Sequence, residues 1–424
     1  MPMLLGNKGN EILSWRASSE LVTKLEKGLS RKWGRSSARE AEAFLGELIA
    51  SLQEEISYEA QFDEESSSLD REISAASSPI DLQPLQARYR EVVSSHFRRR
   101  NSALALCGAC NHVHDKVLAR SVCLAQERML QLGQGSAPIF ALLVSGDRGR
   151  EEETLHSLNR YLLLHEQDSP RFLLFHRQLS IALKEAGMLL GDDMLWHGSL
   201  SDWRALLSGD APLREAADEE NFLAPLPPFA APAKQSPQPM PEWKWRMEAM
   251  ADLRFATGYH PLADDAISAA ARAMKEQRNR DPFFQLARRV INLPLALGHF
   301  GRWRLQRTGE HQGELNLEEL ALDPLVMAVR VLAVQAGVHR GGTVQRIREL
   351  LNKGALNVDL SERLLKAFQC FMQFRIESEI RSEQGGAFLN PDELSQAQEA
   401  RFRNSLEAVL NLQKIAYQKM VGQG

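Results

Sequence analysis

The chain has 424 residues, 44% of them hydrophobic and 25% charged, with a formal net charge of −4. That length predicts two or three domains, and the composition is that of a globular protein able to bury a sizeable core. The charge balance gives no global field for nucleic acid, and no apolar run approaches the roughly 20 residues of a membrane span.

The opening residues lack the charged-then-apolar form of a signal peptide, so a cytoplasmic location is expected. The four cysteines, Cys107, Cys110, Cys123 and Cys370, are too few for a disulfide scaffold in so long a chain, and reduced thiols are expected.

In chain order, residues 1 to 60 predict helices. Leu21, Leu25 and Leu29, then Phe44, Leu45, Leu48, Ile49 and Leu52, recur at helical spacing. Arg31, Lys32, Arg35 and Arg39 form a basic cluster between these halves, read as a solvated helix face or as a patch for an acidic partner. Residues 61–85 turn acidic and serine-rich, which predicts a linker closing an N-terminal helical module of residues 1–85.

Residues 86–133 return to a helical pattern. Within it Cys107, Cys110, His112 and His114 invite a zinc reading, because C-x-x-C suits two ligands. Two residues apart on a helix, His112 and His114 point to different faces, which favours packed cysteines and surface histidines instead.

The stretch from Ala137 to Glu166 carries the chemistry. Ile139–Val144 is an apolar run suited to a buried strand, and it stops at Ser145-Gly146. Arg148–Leu155 is charged and predicts a helix start, and Tyr161–Leu164 suits a second strand. Strand, glycine turn and helix start together form a layout for holding phosphate.

This stretch resembles the nucleotidyltransferases related to the N-terminal domain of the bacterial PII-protein uridylyltransferase, within the DNA polymerase β superfamily. Their motif runs roughly G-S-x-G-R-x-E-x-T-x-x-x-D-x-D. Gly146, Gly149, Arg150, Glu152 and Thr154 fall on matching positions, and Asp147 replaces the motif serine. The resemblance implies a nucleoside triphosphate near Gly146, Asp147, Gly149, Arg150, Glu152 and Thr154, and Mg²⁺ held by acidic side chains. The two aspartates that would bind metal are here Leu158 and Arg160. Leucine offers no oxygen, and arginine places a positive charge where the cation would sit. Asn111, His114, Asp115 and Arg120 resemble the family's helical segment before the first strand.

Further on, Phe172–Ala186 predicts an amphipathic helix closing at Gly187. Ser199 or Ser201 is a candidate N-cap for a short helix bearing Trp203. The adjacent pair Asp192-Asp193 suits a turn. Residues 209–241 hold eight prolines and predict a long insertion without regular structure. Met247–Ala256 resembles the family's closing strand, with Asp252 in the place of the third acidic residue. Asp252 is thus either a remnant metal ligand or, like Arg254, a partner in an ion pair.

From Asp281 onward the chain resembles the family's C-terminal substrate-binding domain. Apolar stripes in 320–334, 364–376 and 406–415 predict an antiparallel helical bundle. Glu318 stands where relatives tend to carry lysine. Arg302, Arg304, Arg330, His339, Arg346 and Arg375 are candidates to line a cleft facing the transferase-like domain, or to form structural ion pairs.

The expected fold is α+β: a small mixed sheet with flanking helices over 86–280, N-terminal helices, and a C-terminal bundle over 281–424. The expected function is a degenerate nucleotidyltransferase-like protein acting as a nucleotide sensor or a protein-interaction scaffold. An active transferase using Asp147, Glu151, Glu152, Glu153 and Asp252 as shifted ligands, with Mg²⁺ and a nucleoside triphosphate, is one alternative. A purely structural adaptor is the other.

Overall fold

A computed structural model describes residues 38–208 and 251–421, apart from 159, 167–168, 191–193, 278–287, 289–290, 299–300 and 383–384. The expectations on Leu21, Leu25, Leu29, Arg31, Lys32 and Arg35, on Asp192-Asp193 and on the proline-rich segment 209–241 lie outside the described residues.

Three helices precede the sheet: α1 (Ala38–Ala75), α2 (Leu82–Arg100) and α3 (Ala103–Gln131). The linker expected over 61–85 is a correction, because α1 runs through Ala75 and α2 begins at Leu82. The composition of this stretch is polar, but Leu69 and Ile73 are spaced to meet the core and both are fully buried. Glu64 and Glu72 lie outside, where Arg71–Glu64 and Arg88–Glu72 pair.

The sheet follows: β1 (Phe140–Val144), β2 (Arg160–His165), β3 (Met194–Ser199) and β4 (Arg254–Gly258), in the order β3-β2-β1-β4. β2 and β3 are parallel and the other pairs antiparallel. The parallel pair needs a crossover, which α4 (Pro170–Glu185) supplies. α4 ends at Gly187, whose φ of 72° is a conformation glycine adopts without steric cost.

Both faces of the sheet are covered, which explains why its central strands β1 and β2 read as continuous apolar runs. Phe140, Leu142, Val144, Tyr161 and Leu163 pack toward α3 and α4. Ala141, Leu143, Leu162, Leu164 and Trp196 pack toward α5 (Leu200–Ser208) and α6 (His260–Gln277). Ser199 caps α5 as expected: its Oγ accepts the Asp202 amide at 3.1 Å, and Asp202 Oδ2 accepts the Ser199 amide at 2.8 Å.

The C-terminal region is the expected bundle: α7 (Asp323–Gln335), α8 (Thr343–Asn352), α9 (Val358–Ser382) and α10 (Gln396–Val421). A two-residue ladder, β5 (Leu315–Asn316) with β6 (Phe388–Leu389), clips it together. The first core cluster runs without a break from α3 and the sheet into this bundle. Gln373 of α9 donates to the Asn101 carbonyl between α2 and α3 at 2.6 Å.

Candidate functional site

β1 ends at Val144, and the Ser145 amide donates to the Arg160 carbonyl at 3.1 Å, so the turn starts beside the first residue of β2. Gly146 takes a φ of 68°. Arg150 N donates to Gly146 O and Glu152 N to Asp147 O, at 3.0 and 2.8 Å. These are single turns. The helix start expected over Arg148–Leu155 is absent: the segment is irregular, and Glu151 has a φ of 60°. Its side chains are drawn into tertiary pairs, which outcompete a helix. Arg148 grips Glu153 through Nε and Nη2 (2.7 Å at the closest) and donates to the Tyr161 hydroxyl at 2.6 Å. His114 Nδ1 lies 2.5 Å from Glu153. Burial raises the Glu153 pKa, but Arg148 and His114 outweigh it and hold the carboxyl below its ordinary value.

Arg150 is the hub. Its Nε donates to Glu152 at 2.6 Å, Nη1 to Asp252 at 2.7 Å and Nη2 to Asp147 at 2.5 Å. One guanidinium thus meets three carboxylates, the fork geometry that arginine provides. Gly149 lets the turn reach Asp252, for a Cβ there would overlap the Asp252 carbonyl oxygen.

Asp252 lies just before β4 and is 2% exposed. Besides Arg150, it accepts Arg346 Nη1 at 2.7 Å and both Nε and Nη2 of Arg330. Arg346 also donates to the Ala251 carbonyl. Burial alone would raise the Asp252 pKa. Arg330, Arg346 and Arg150 outweigh it and hold the carboxyl well below the usual range.

The bundle closes over Asp147 in the same way. Arg375 of α9 lies 3.1 Å from Asp147 and 3.2 Å from Glu379. Glu379 accepts the Thr154 hydroxyl at 2.7 Å and the Leu155 amide at 3.0 Å. Burial works against the Asp147 charge, and Arg375, Arg150 and Arg160 overcome it. For Glu379 burial wins and its pKa is raised.

The remaining contact is a helix cap. Glu152 accepts the amide of Thr343, first residue of α8. Gly342 before it has no side chain to do this, and a Cβ there would meet the Arg150 carbonyl.

Gly146, Asp147, Gly149, Arg150, Glu152, Thr154 and Asp252 are therefore gathered in one place. Arg330, Arg346 and Arg375 join them from the bundle. Arg302 and Arg304 do not: the Arg302 carbonyl accepts the Gly298 amide at 2.8 Å, and Arg304 lines a groove near Leu293 and Leu410. Arg160 stands close enough to act electrostatically on Asp147, while Leu158 is 47% exposed. Arg254 pairs with Asp115 at 2.8 and 2.9 Å. Cys107 and Cys110 are core residues whose thiol pKa values burial pushes up; His112 turns to Asp70 and His114 to Glu153. Among the described residues no group of three metal-ligating side chains forms a site.

Sequence reading alone passed over Glu379 and Arg148. Glu379 follows Phe368, Met372 and Arg375 on one stripe of α9 at helical spacing, a charge in line with core residues. Arg148 carries no such signal.

Residues 87–211 match the family model described as Putative nucleotidyltransferase DUF294, and residues 280–420 that described as Putative nucleotidyltransferase substrate binding domain. No curated protein matches the chain. The two matched segments together span more than half of the sequence, in the order that the glycine turn and the helical bundle occupy. The chain belongs to this nucleotidyltransferase family, carrying its nucleotidyltransferase domain followed by its substrate-binding domain.

Proposed function

We propose that this protein keeps a nucleotidyltransferase fold without the transferase reaction and works as a protein-interaction scaffold. One observation carries the reading: both carboxylate oxygens of Asp252 are taken up by the guanidinium groups of Arg150, Arg330 and Arg346. A carboxylate saturated by three cations has no lone pair facing a metal, and three positive charges repel one.

The donor set does not fit the Mg²⁺ chemistry of the superfamily. That chemistry uses carboxylates that clamp metals on the attacking and leaving oxygens. Leu158 has no donor, and Arg160 adds a cation beside Asp147. Of the substitute acids in sequence, Asp147, Glu152 and Glu153 are each matched to arginine, and Glu151 is exposed. A metal-free phosphate site at Gly146, Gly149 and Arg150 would also compete with three carboxylates for one guanidinium. The arginines instead fasten the transferase-like domain to the bundle, giving a rigid body that presents surfaces.

The test is twofold. Incubation with labelled ATP, GTP, UTP and CTP and Mg²⁺, with protein acceptors that include a PII-type protein, should give no label transfer. Calorimetric titration with the same nucleotides should show no heat of binding with or without Mg²⁺. Any label transfer by the wild-type protein would overturn the proposal. Metal-independent nucleotide binding without transfer would replace the scaffold with a nucleotide sensor.

A further inference from the structure

α1 is 38 residues long, about 57 Å at 1.5 Å per residue. Its C-terminal half is packed. Leu69 and Ile73 are buried, Asp70 meets His112 of α3, and Tyr58 and Phe62 stack on His96 of α2. The end of α2 reaches back to Glu54, Glu55 and Glu59 through Arg99 and Arg100. Before Glu54, no described residue of α1 is buried.

That N-terminal half carries an apolar stripe. Leu45, Ile49, Leu52 and Ile56 are 54%, 54%, 39% and 68% exposed. Their spacing of four, three and four residues is the repeat of a coiled-coil seam. In that register Ile49 and Ile56 fall on the a positions, and Leu45 and Leu52 on the d positions. Isoleucine at a with leucine at d packs best in a parallel two-stranded coil, because the β-branched side chain fits the a-layer geometry of a dimer.

Charge agrees with a self-pair. The flanking positions nearest the seam are Gly46, Leu48, Gln53 and Glu55. The first three are uncharged, and Glu55 is already tied to Arg99 and Arg100. Two identical helices laid side by side would meet no unpaired like charge between Leu45 and Ile56. Glu42 and Glu59 occupy the next seam positions and end the stripe at both sides. A basic helix from another protein would find no free acid on those flanks to select it.

From this geometry we infer that α1 is a dimerisation arm: a second copy of this chain packs in parallel along Leu45, Ile49, Leu52 and Ile56. The inference concerns a surface remote from the glycine turn and stands whether or not that site transfers nucleotides.

The test uses the full chain. Sedimentation over a wide concentration range should show a monomer–dimer equilibrium, and Ile49→Glu with Ile56→Glu should shift it to monomer while the far-ultraviolet circular dichroism is retained. Leu45→Cys, combined with Cys123→Ser, should form a disulfide-linked dimer under mild oxidation, since only a parallel in-register pair brings residue 45 beside its copy. A wild-type monomer at every concentration overturns the inference, whether another part of the chain or a different protein covers the stripe. So does a dimer that survives the double substitution. A dimer lost in the double variant but not cross-linked through position 45 overturns the parallel arrangement.

Discussion

Glu152 of the glycine turn caps the helix that begins at Thr343, 191 positions further along the chain. The motif glutamate is thus the N-terminal anion of α8, where the free amides and the helix dipole favour negative charge. It also holds Arg150 Nε at 2.6 Å. Glu152→Gln keeps an acceptor for the amide and should cost about 1–2 kcal/mol. Glu152→Ala also leaves Arg150 underpaired and should cost about 3 kcal/mol or more. Urea unfolding of both variants measures the difference; equal losses would rule out the capping role.

Asp252 is the counter-ion of three arginines. Asp252→Ala leaves those cations buried without it and should destabilise by about 3–5 kcal/mol. Its folded-state pKa is depressed, as is that of Asp147. Their stabilisation is therefore fully present above the unfolded value of about 3.9 and is lost as pH falls below it toward the folded values. The wild type should keep the joint closed at pH 5 and lose stability steeply below pH 4. In Asp252→Asn that acid limb should flatten, as followed by tryptophan fluorescence.

Gly149 and Gly342 line the two sides of the same joint. A Cβ at the first would overlap the Asp252 carbonyl, and at the second the Arg150 carbonyl, both backbone atoms that cannot rotate away. Gly149→Ala and Gly342→Ala should each cost about 2–3 kcal/mol. Gly354→Ala controls for backbone strain alone: its φ is 68° but a Cβ would have no neighbour within 4 Å, so its cost should be nearer 1 kcal/mol. Thermal melts rank the three.

His176 of α4 packs against His197, with ring centroids 4.5 Å apart. Burial first, and His197 second, lower its pKa to about 3. The folded state therefore refuses a proton that the unfolded chain accepts near pH 6.5, so stability is full above that value and falls as pH drops toward about 3. Between pH 7 and 4 this group alone should account for about 3 kcal/mol. Nε2 makes no hydrogen bond among the described residues, so His176→Phe forfeits none there. The variant should show a shallower slope of stability against pH in this window; an unchanged slope would assign the titration elsewhere.

Local pattern was enough for β1 and β2, for α4 closing at Gly187, for the Ser199 cap and for the helices of the bundle, whereas β3 carried no such pattern. Apolar spacing reports which face is buried, and burial fixes the element. Composition misled over 61–85, because it counts glutamate and serine without regard to the side of the helix that they occupy. The charged run after Gly146 misled likewise. Arg148, Glu152 and Glu153 have good helical propensity, but stripping any of these buried charges of the partner it finds here would cost about 3–5 kcal/mol, more than the few tenths of a kcal/mol per residue that propensity offers.

Sequence by itself determined that the glycine turn, Leu158 and Arg160 at the places of the motif aspartates, and the helical bundle lie in one chain in family order. Only the tertiary structure decided what Asp252 does. An aspartate before a strand reads alike as metal ligand or ion-pair partner, since its neighbours in sequence do not say which charges will surround it. Arg330 and Arg346 lie 78 and 94 positions beyond Asp252. Coulomb energy depends on distance in space and on exclusion of water, and neither is set until the sheet and the bundle have packed together.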